Sequence, residues 1–201
     1  GLALLGEKNI SSYCDRLIAQ LESSERSQKL EKMIIQESAI YQNGGYLTYC
    51  CSPDLGMTIL TDTTERAPTF GVAGLENKFE QGPYALANIS VENGVGSENS
   101  FKMILGRDAF PLEWSDFNSR AGKKRLSGFD LSEKNAELRE KELSHHVRVQ
   151  VKRYRDYYEL SFGEVTLNFQ TPFHADSLLD LNDFKMLLNT HSTLVMGRLG
   201  R

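Results

Sequence analysis

The chain has 201 residues, of which 40% are hydrophobic and 25% are charged, and its formal net charge at pH 7 is −4. These values are ordinary for a globular domain, so they exclude disordered, collagen-like and low-complexity chains. No apolar run reaches the roughly 18–20 residues that a bilayer-spanning helix needs, so no membrane span is predicted. The acidic balance argues against polyanion binding over the whole surface.

Helical periodicity dominates the N-terminal part of the chain. Apolar residues recur at helical spacing between residues 10 and 21, and again from Leu30 to Ile35. The intervening stretch, residues 22–29, is almost wholly polar. Two helices joined near Ser23 and one helix with an exposed middle fit this pattern equally well.

A strong turn signal, Asn43-Gly44-Gly45, follows the helical pattern. We therefore predict an N-terminal helical segment over residues 1–41 and a single β-rich domain over residues 42–201. The apolar opening Gly1–Gly6 is too short to be a signal peptide or an anchor. A cytoplasmic protein and one that has lost an N-terminal anchor or signal segment are both compatible with it, so the localisation is left unknown.

The middle of the chain is predicted to form strands. Tyr46–Cys51 is aromatic and β-rich, a Pro-Gly turn follows, and Met57–Thr61 is predicted as the return strand of a hairpin. Further strands are predicted at Thr69–Ala73, Tyr84–Val91 and Phe101–Leu105. Because these strands cluster without regular helices between them, a mainly antiparallel sheet is favoured.

Two helices and a basic loop are predicted next. Pro111 suits the first turn of a short helix after Asp108, and residues 119–128 form the basic loop. Ser132 can cap a surface helix that runs to about Leu143.

The clearest pattern lies near the C-terminus. Val147, Val149 and Val151 alternate with polar residues, which predicts a strand with one buried face. Two further alternating runs are separated by Gly163 and complete a β-meander, and Ser177 caps a last helix. The predicted fold class is therefore α+β, with an N-terminal segment of one or two helices, a mainly antiparallel sheet and a C-terminal helix.

Familiar catalytic and cofactor motifs are missing, so no cofactor is predicted. The segment Asn93–Gly96 lacks the third glycine and the following helix of a dinucleotide fingerprint, and there is no nucleophile elbow. Cys14, Cys50 and Cys51 match no zinc spacing and no disulfide framework, and their oxidation state is left open. In a strand, the last two would point to opposite faces.

Two groups of polar residues suggest alternative functions. His174, Asp176 and Asp180 could hold Mg²⁺ or Mn²⁺ in a metal-dependent hydrolase, although Asp176 and Ser177 could instead cap the last helix. Residues 120–155 carry eleven Lys or Arg against five Asp or Glu, so this segment is +6 and the remainder −10. It could bind nucleic acid or another polyanion, or be a solvated face. The basic candidates are Lys123, Lys124, Arg125, Arg148 and Lys152.

Because no catalytic set is evident, we expect a non-enzymatic interaction or assembly module. The apolar stripe Leu17, Ile18 and Leu21 on the N-terminal helical segment needs a covering surface. That surface could belong to the same chain, to a protein partner or to a second copy in a homo-oligomer.

Overall fold

A five-stranded sheet with helices on both faces forms the centre of the computed structural model, which describes residues 7–171 and 178–201. The helices are α1 (Glu7–Glu22), α2 (Ser24–Gln42), α3 (Pro53–Phe70), α4 (Gly96–Leu105), α5 (Asn118–Ala121), α6 (Lys123–Leu126), α7 (Glu133–Glu142) and α8 (Leu178–Arg198). The strands are β1 (Tyr46–Cys51), β2 (Ala87–Val91), β3 (His146–Arg153), β4 (Tyr157–Phe162) and β5 (Val165–Gln170).

The sheet has the strand order β2-β1-β3-β4-β5 and is mixed. Strand β1 is parallel to both β2 and β3, whereas β3, β4 and β5 form an antiparallel meander. The α+β class is thus confirmed, and the prediction of a mainly antiparallel sheet is wrong. The difference arises between β1 and β2, where a helical crossover takes the place of the predicted hairpin.

Helix α3 includes the predicted return strand Met57–Thr61. Pro53 stands at its first turn, where a proline is tolerated, and Leu55 and Ile59 follow at a spacing of four. The next positions that face the core are the polar residues Asp62 and Arg66, so the helical spacing of apolar residues is interrupted and the sequence does not indicate a helix. This helix also includes the first residues of the predicted strand at 69–73.

Other predictions in the middle of the chain need similar corrections. The predicted strand Phe101–Leu105 belongs to helix α4, and the predicted strand Tyr84–Val91 is shortened to β2. No helix begins at Pro111, and the predicted basic loop includes most of the short helix α5 and all of α6. Ser132 does cap α7, because its Oγ accepts a hydrogen bond of 3.3 Å from the amide of Asn135.

The core lies between one face of the sheet and helices α2, α3 and α8. Val149 and Val151 are buried there beside Tyr49 of β1 and Leu160 of β4. The C-terminal meander is therefore confirmed. Gly163 makes its second turn possible, because its φ of +60° suits a two-residue hairpin loop.

The second face of the sheet is only partly covered. Helix α7 packs on β2 and β3, where the Arg139 guanidinium donates hydrogen bonds to Thr48 Oγ1 and to the carbonyl oxygens of Leu47 and Ala85. Beyond α7, this face of β3, β4 and β5 is open to solvent, and Lys152 is among its exposed residues.

The N-terminal helical pattern forms two separate helices. Ser23 ends the first and caps the second, since its Oγ accepts a hydrogen bond of 3.3 Å from the amide of Arg26. Met33 and Ile34 of α2 belong to the core described above, and the division at residue 41 stays a prediction. Within residues 7–171 and 178–201, no helix is both long enough and apolar enough to cross a bilayer.

Candidate functional site

A groove runs along the outer side of helices α1, α2 and α8, and we call it the helical groove. Helices α2 and α8 run in the same direction, because Arg26 contacts Asp183 near one end and Ser38 contacts Arg198 near the other. The groove consists of two depressions, of about 40 and 360 Å³, which share Ser27 and Leu30 as lining residues. Its apolar lining residues are Leu17, Leu21, Leu30, Ile34, Ile35, Met186, Leu187 and Leu194.

Four large apolar side chains on the rim of the helical groove are exposed. The exposed fraction is 57% for Leu21, 48% for Leu194, 44% for Ile35 and 41% for Met186. Such side chains are common singly on protein surfaces, but a contiguous group around a depression is typical of a contact surface.

The structure divides the predicted apolar stripe between two environments. Leu17 is half-buried and forms part of the groove wall together with Leu21. Ile18 is 51% exposed and is not among the residues that line the groove. The stripe is thus only partly covered by the chain's own helices.

An ion pair forms part of the wall of the smaller depression. The Arg26 guanidinium contacts both carboxylate oxygens of Asp183, at 2.8 and 3.0 Å, and donates to Gln20 Oε1 at 3.1 Å. Burial raises the pKa of the Asp183 carboxyl, and the neighbouring guanidinium opposes that shift. The pair therefore links the two N-terminal helices to α8.

Beneath the helical groove, Glu37, Asp62, Arg66 and His191 form what we call the buried ion network. Arg66 contacts Glu37 at 2.7 Å and Asp62 at 3.0 Å, and His191 Nε2 lies 3.4 Å from Glu37 Oε2. All four residues are at most 4% exposed. Because solvent is excluded, we assign the network the structural role of linking α2, α3 and α8.

The protonation states in the buried ion network follow from its contacts. Burial alone would raise the pKa of Glu37, but the Arg66 guanidinium and the hydroxyls of Tyr49 and Tyr41 hold it below its ordinary value. Burial lowers the pKa of His191, so the imidazole is neutral at pH 7. The spacing of these residues along the chain gave no indication that they would meet.

The basic candidates do not share one groove. Arg148 and Lys152 line a groove of about 320 Å³ at the carboxyl ends of β1 and β3. Arg125 lines a different groove, of about 1000 Å³, and forms an ion pair with Glu80. Lys123 and Lys124 are exposed on α6. Polyanion binding through residues 120–155 stays a prediction.

The predicted metal site lies mostly beyond what the structure describes. His174 and Asp176 fall outside the described residues, and Asp180 is buried in the first turn of α8. Across residues 7–171 and 178–201, no group of three or more His, Cys, Asp or Glu side chains could hold a metal ion. The hydrolase alternative therefore stays a prediction.

All three cysteines are free thiols. Cys14 is exposed on α1, and the neighbours Cys50 and Cys51 lie on opposite faces of β1, with Cys51 in the core. Burial raises the pKa of Cys50 to about 11, so this thiol is protonated at neutral pH and is a poor nucleophile.

Two surface features had no sequence signal strong enough to identify them. The side of the helical groove formed by α8 depends on packing between distant segments. A second feature is a group of exposed aromatic residues after α4, in which Trp114 and Phe117 make an edge-to-face contact at 6.0 Å between ring centroids.

Comparison with known proteins gives no assignment, because no family model, curated protein or solved structure matches the chain.

Proposed function

We propose that this chain is a non-enzymatic assembly module that forms a homodimer through the helical groove. The observation that carries the proposal is the group of four exposed apolar side chains around one groove on α1, α2 and α8. Covering an apolar surface of this kind removes it from water, and this is the main driving force of most protein association.

The same surface offers both partners of a symmetric contact. Ile18 and Leu21 project from α1 as an apolar ridge, and Leu30, Ile35 and Leu194 lie in or beside the neighbouring groove. A two-fold dimer requires a self-complementary patch, in which the ridge of one copy meets the groove of the other. A surface that carries a ridge next to a groove meets this requirement.

The contact resembles the general case in which an amphipathic helix lies in an apolar groove. In such contacts, anchors spaced three and four residues apart along the helix enter the groove. Ile18 and Leu21 have this spacing on α1. Fully burying an exposed leucine or isoleucine contributes roughly 1.5–3 kcal/mol, but Ile18 is 51% and Leu21 57% exposed, so about half of this remains to be gained at each position. Because association has its own entropic cost, we expect a weak dimer, of micromolar or lower affinity.

The mass of the chain in solution tests this proposal. We expect light scattering after size-exclusion chromatography to show a monomer–dimer equilibrium within about 1–200 µM, the range in which micromolar association is measurable. Leu21→Asp and Leu194→Asp should each give a monomer. Leu178→Asp is the matched control, because Leu178 is 62% exposed on α8 but does not line the groove.

Two outcomes would contradict the proposal. The first is a parent chain that stays monomeric throughout the concentration range. The second is a dimer that is unaffected by Leu21→Asp and Leu194→Asp, since this dimer would use another surface. Circular dichroism of each variant excludes unfolding as the cause of a change in mass, and all three substituted leucines are exposed enough to tolerate aspartate.

A further inference from the structure

We propose that the loop between α4 and α5 inserts its aromatic side chains into the surface of an anionic lipid bilayer, so that the chain binds membranes peripherally. We call residues 106–117 the aromatic loop. This surface is separate from the proposed assembly surface, because α4, which precedes the loop, packs on α3, whereas α1, α2 and α8 form the helical groove.

The aromatic loop presents large apolar side chains to water. Phe110 is 73% exposed and Trp114 is 66% exposed, and Leu112 and Phe117 are exposed as well. Rings that are exposed to this extent project from the surface, and none of these four residues lines a groove described above. A group of projecting apolar side chains is typical of a surface that contacts a membrane or another protein.

Contacts within the chain hold the aromatic loop in one conformation. The Leu112 amide donates a hydrogen bond of 2.9 Å to the carbonyl oxygen of Ala121, which closes the loop onto α5. The Phe117 amide donates one of 2.9 Å to the carbonyl oxygen of Trp114, and the rings of these two residues are in contact. Because the exposed rings are already ordered, their insertion into a bilayer costs less conformational entropy.

Positive charge accompanies the aromatic loop on a chain that is otherwise acidic. Residues 102–124 carry five Lys or Arg against three Asp or Glu, so this segment is +2 and the remainder −6. Four exposed cations of the segment have no carboxylate within ion-pair distance in the part of the chain that the structure describes, namely Arg107, Arg120, Lys123 and Lys124. Each basic residue near an anionic bilayer strengthens binding by about fivefold.

The carboxylates of the same segment are engaged by neighbouring groups. Asp108 forms an ion pair of 3.0 Å with Lys102. Glu113 accepts a hydrogen bond of 2.7 Å from the amide of Lys123 at the start of α6, and Asp116 accepts one of 3.1 Å from the hydroxyl of the preceding serine. The last two carboxylates keep their negative charge, but the four cations outnumber them.

A bilayer surface fits these observations better than a protein partner does. A bilayer accepts projecting rings without a matching pocket, whereas a protein partner must supply a pocket for each anchor. Tryptophan suits the headgroup level of a bilayer, because its ring is apolar and its N–H group is polar. Peripheral binding combines apolar insertion with attraction between basic residues and anionic lipids, and the aromatic loop and its flanking cations supply both.

The fluorescence of Trp114 tests the proposal on the full chain. This residue is the single tryptophan of the chain, so its emission reports on the aromatic loop directly. The probe is a vesicle of phosphatidylcholine and phosphatidylserine in a ratio of about 2:1. We expect the emission maximum to shift to shorter wavelength as vesicles are added, with a smaller shift for phosphatidylcholine alone and weaker binding at higher salt.

Variants separate the apolar contribution from the charge contribution. Phe110→Ser should weaken vesicle binding by about tenfold or more, because a projecting ring is lost. Lys123→Gln combined with Lys124→Gln should also weaken it by about tenfold or more. The matched control combines Lys134→Gln with Lys141→Gln, which changes the net charge equally on α7, on the opposite face of the sheet, and should leave binding unchanged.

Three outcomes would overturn the proposal. The first is no emission shift and no co-sedimentation at about 1 mM anionic vesicle lipid, well above what a marginal anchor requires, which would indicate a protein partner for the aromatic loop. The second is vesicle binding that Phe110→Ser leaves unchanged. The third is equal weakening by the two double variants, which would indicate attraction of the whole chain. None of these outcomes bears on assembly, because light scattering tests it without lipid.

Discussion

Replacing Arg66 with methionine should strongly destabilise the fold. Arg66 is 4% exposed and contacts two carboxylates, Glu37 at 2.7 Å and Asp62 at 3.0 Å. Methionine fills a similar volume but leaves both carboxylates without their main cation. Removing one partner of a buried ion pair typically costs about 3–5 kcal/mol, and the presence of two carboxylates places the expected loss in the upper part of this range.

This loss is large relative to the total stability of a domain, which is typically about 5–15 kcal/mol. For a chain of this size, 1 kcal/mol corresponds to a change in the melting temperature of roughly 2–4 °C, so Arg66→Met should lower it by roughly 8–20 °C. Urea unfolding followed by circular dichroism gives the free energy directly. Arg155→Met is the matched control, because Arg155 is exposed, and it should change the free energy of unfolding by about 0.5 kcal/mol or less.

The pH dependence of the same variant adds a second test. In the parent chain the pKa of Glu37 is below its ordinary value, so the stabilisation is present at neutral pH and is lost as the pH falls through that lowered pKa. In Arg66→Met, burial without the guanidinium raises the pKa of Glu37, so the difference between parent and variant should begin to narrow above pH 4.5, the ordinary value, and continue to narrow below it. A variant that loses less than about 1 kcal/mol at pH 7 would refute the role assigned to the buried ion network.

The remaining predictions concern the sheet, the imidazole of the network and one turn. Val149→Asp should unfold or aggregate the chain, because Val149 is fully buried. Arg148→Ser should lower the free energy of unfolding in urea by about 0.5 kcal/mol or less. Equal stability of the two variants would contradict the assignment of the strand faces. Because burial lowers the pKa of His191, the free energy of unfolding should decrease as the pH drops below about 6.5. His191→Gln should show a smaller decrease over the same pH range, and identical pH profiles of parent and variant would refute this prediction. Gly45→Ala should lower the melting temperature measurably, because the added Cβ would lie 2.7 Å from the carbonyl oxygen of His145; an unchanged temperature would contradict the close approach.

How far the sequence predicts the fold depends on whether one face of each element meets water. The C-terminal meander was predictable because β3 has a buried face and an open face, so Val149 and Val151 alternate with exposed residues. Strand β2 is buried along its whole length and gives no alternation. Helix α3 buries Asp62 and Arg66 on its inner side, so its apolar period stops after Ile59. The parallel half of the sheet was therefore missed.

In the candidate sites, too, some residues were predictable from a local pattern and others only from the packing of distant segments. Leu17 and Leu21 were identifiable because helical spacing places them on one side of α1. The opposite wall of the helical groove required knowledge that α8 packs beside α2, and no local pattern contains this information. Likewise, alternation placed Arg148 and Lys152 on one face of a strand, but only the strand order places that face at the carboxyl end of β1.

The distribution of polar and apolar residues on α2 and α8 supports assembly. An amphipathic surface helix normally turns its apolar side inward and its charged side to water. Here both helices also place charged or polar side chains inward, among them Glu37 and His191, and both place apolar side chains outward, among them Ile35 and Leu194. Ile35 and Leu194 border a depression that polar residues such as Glu31 also line, so the outer surface of this helix pair carries an apolar patch with a polar rim, which is the usual composition of a protein–protein interface.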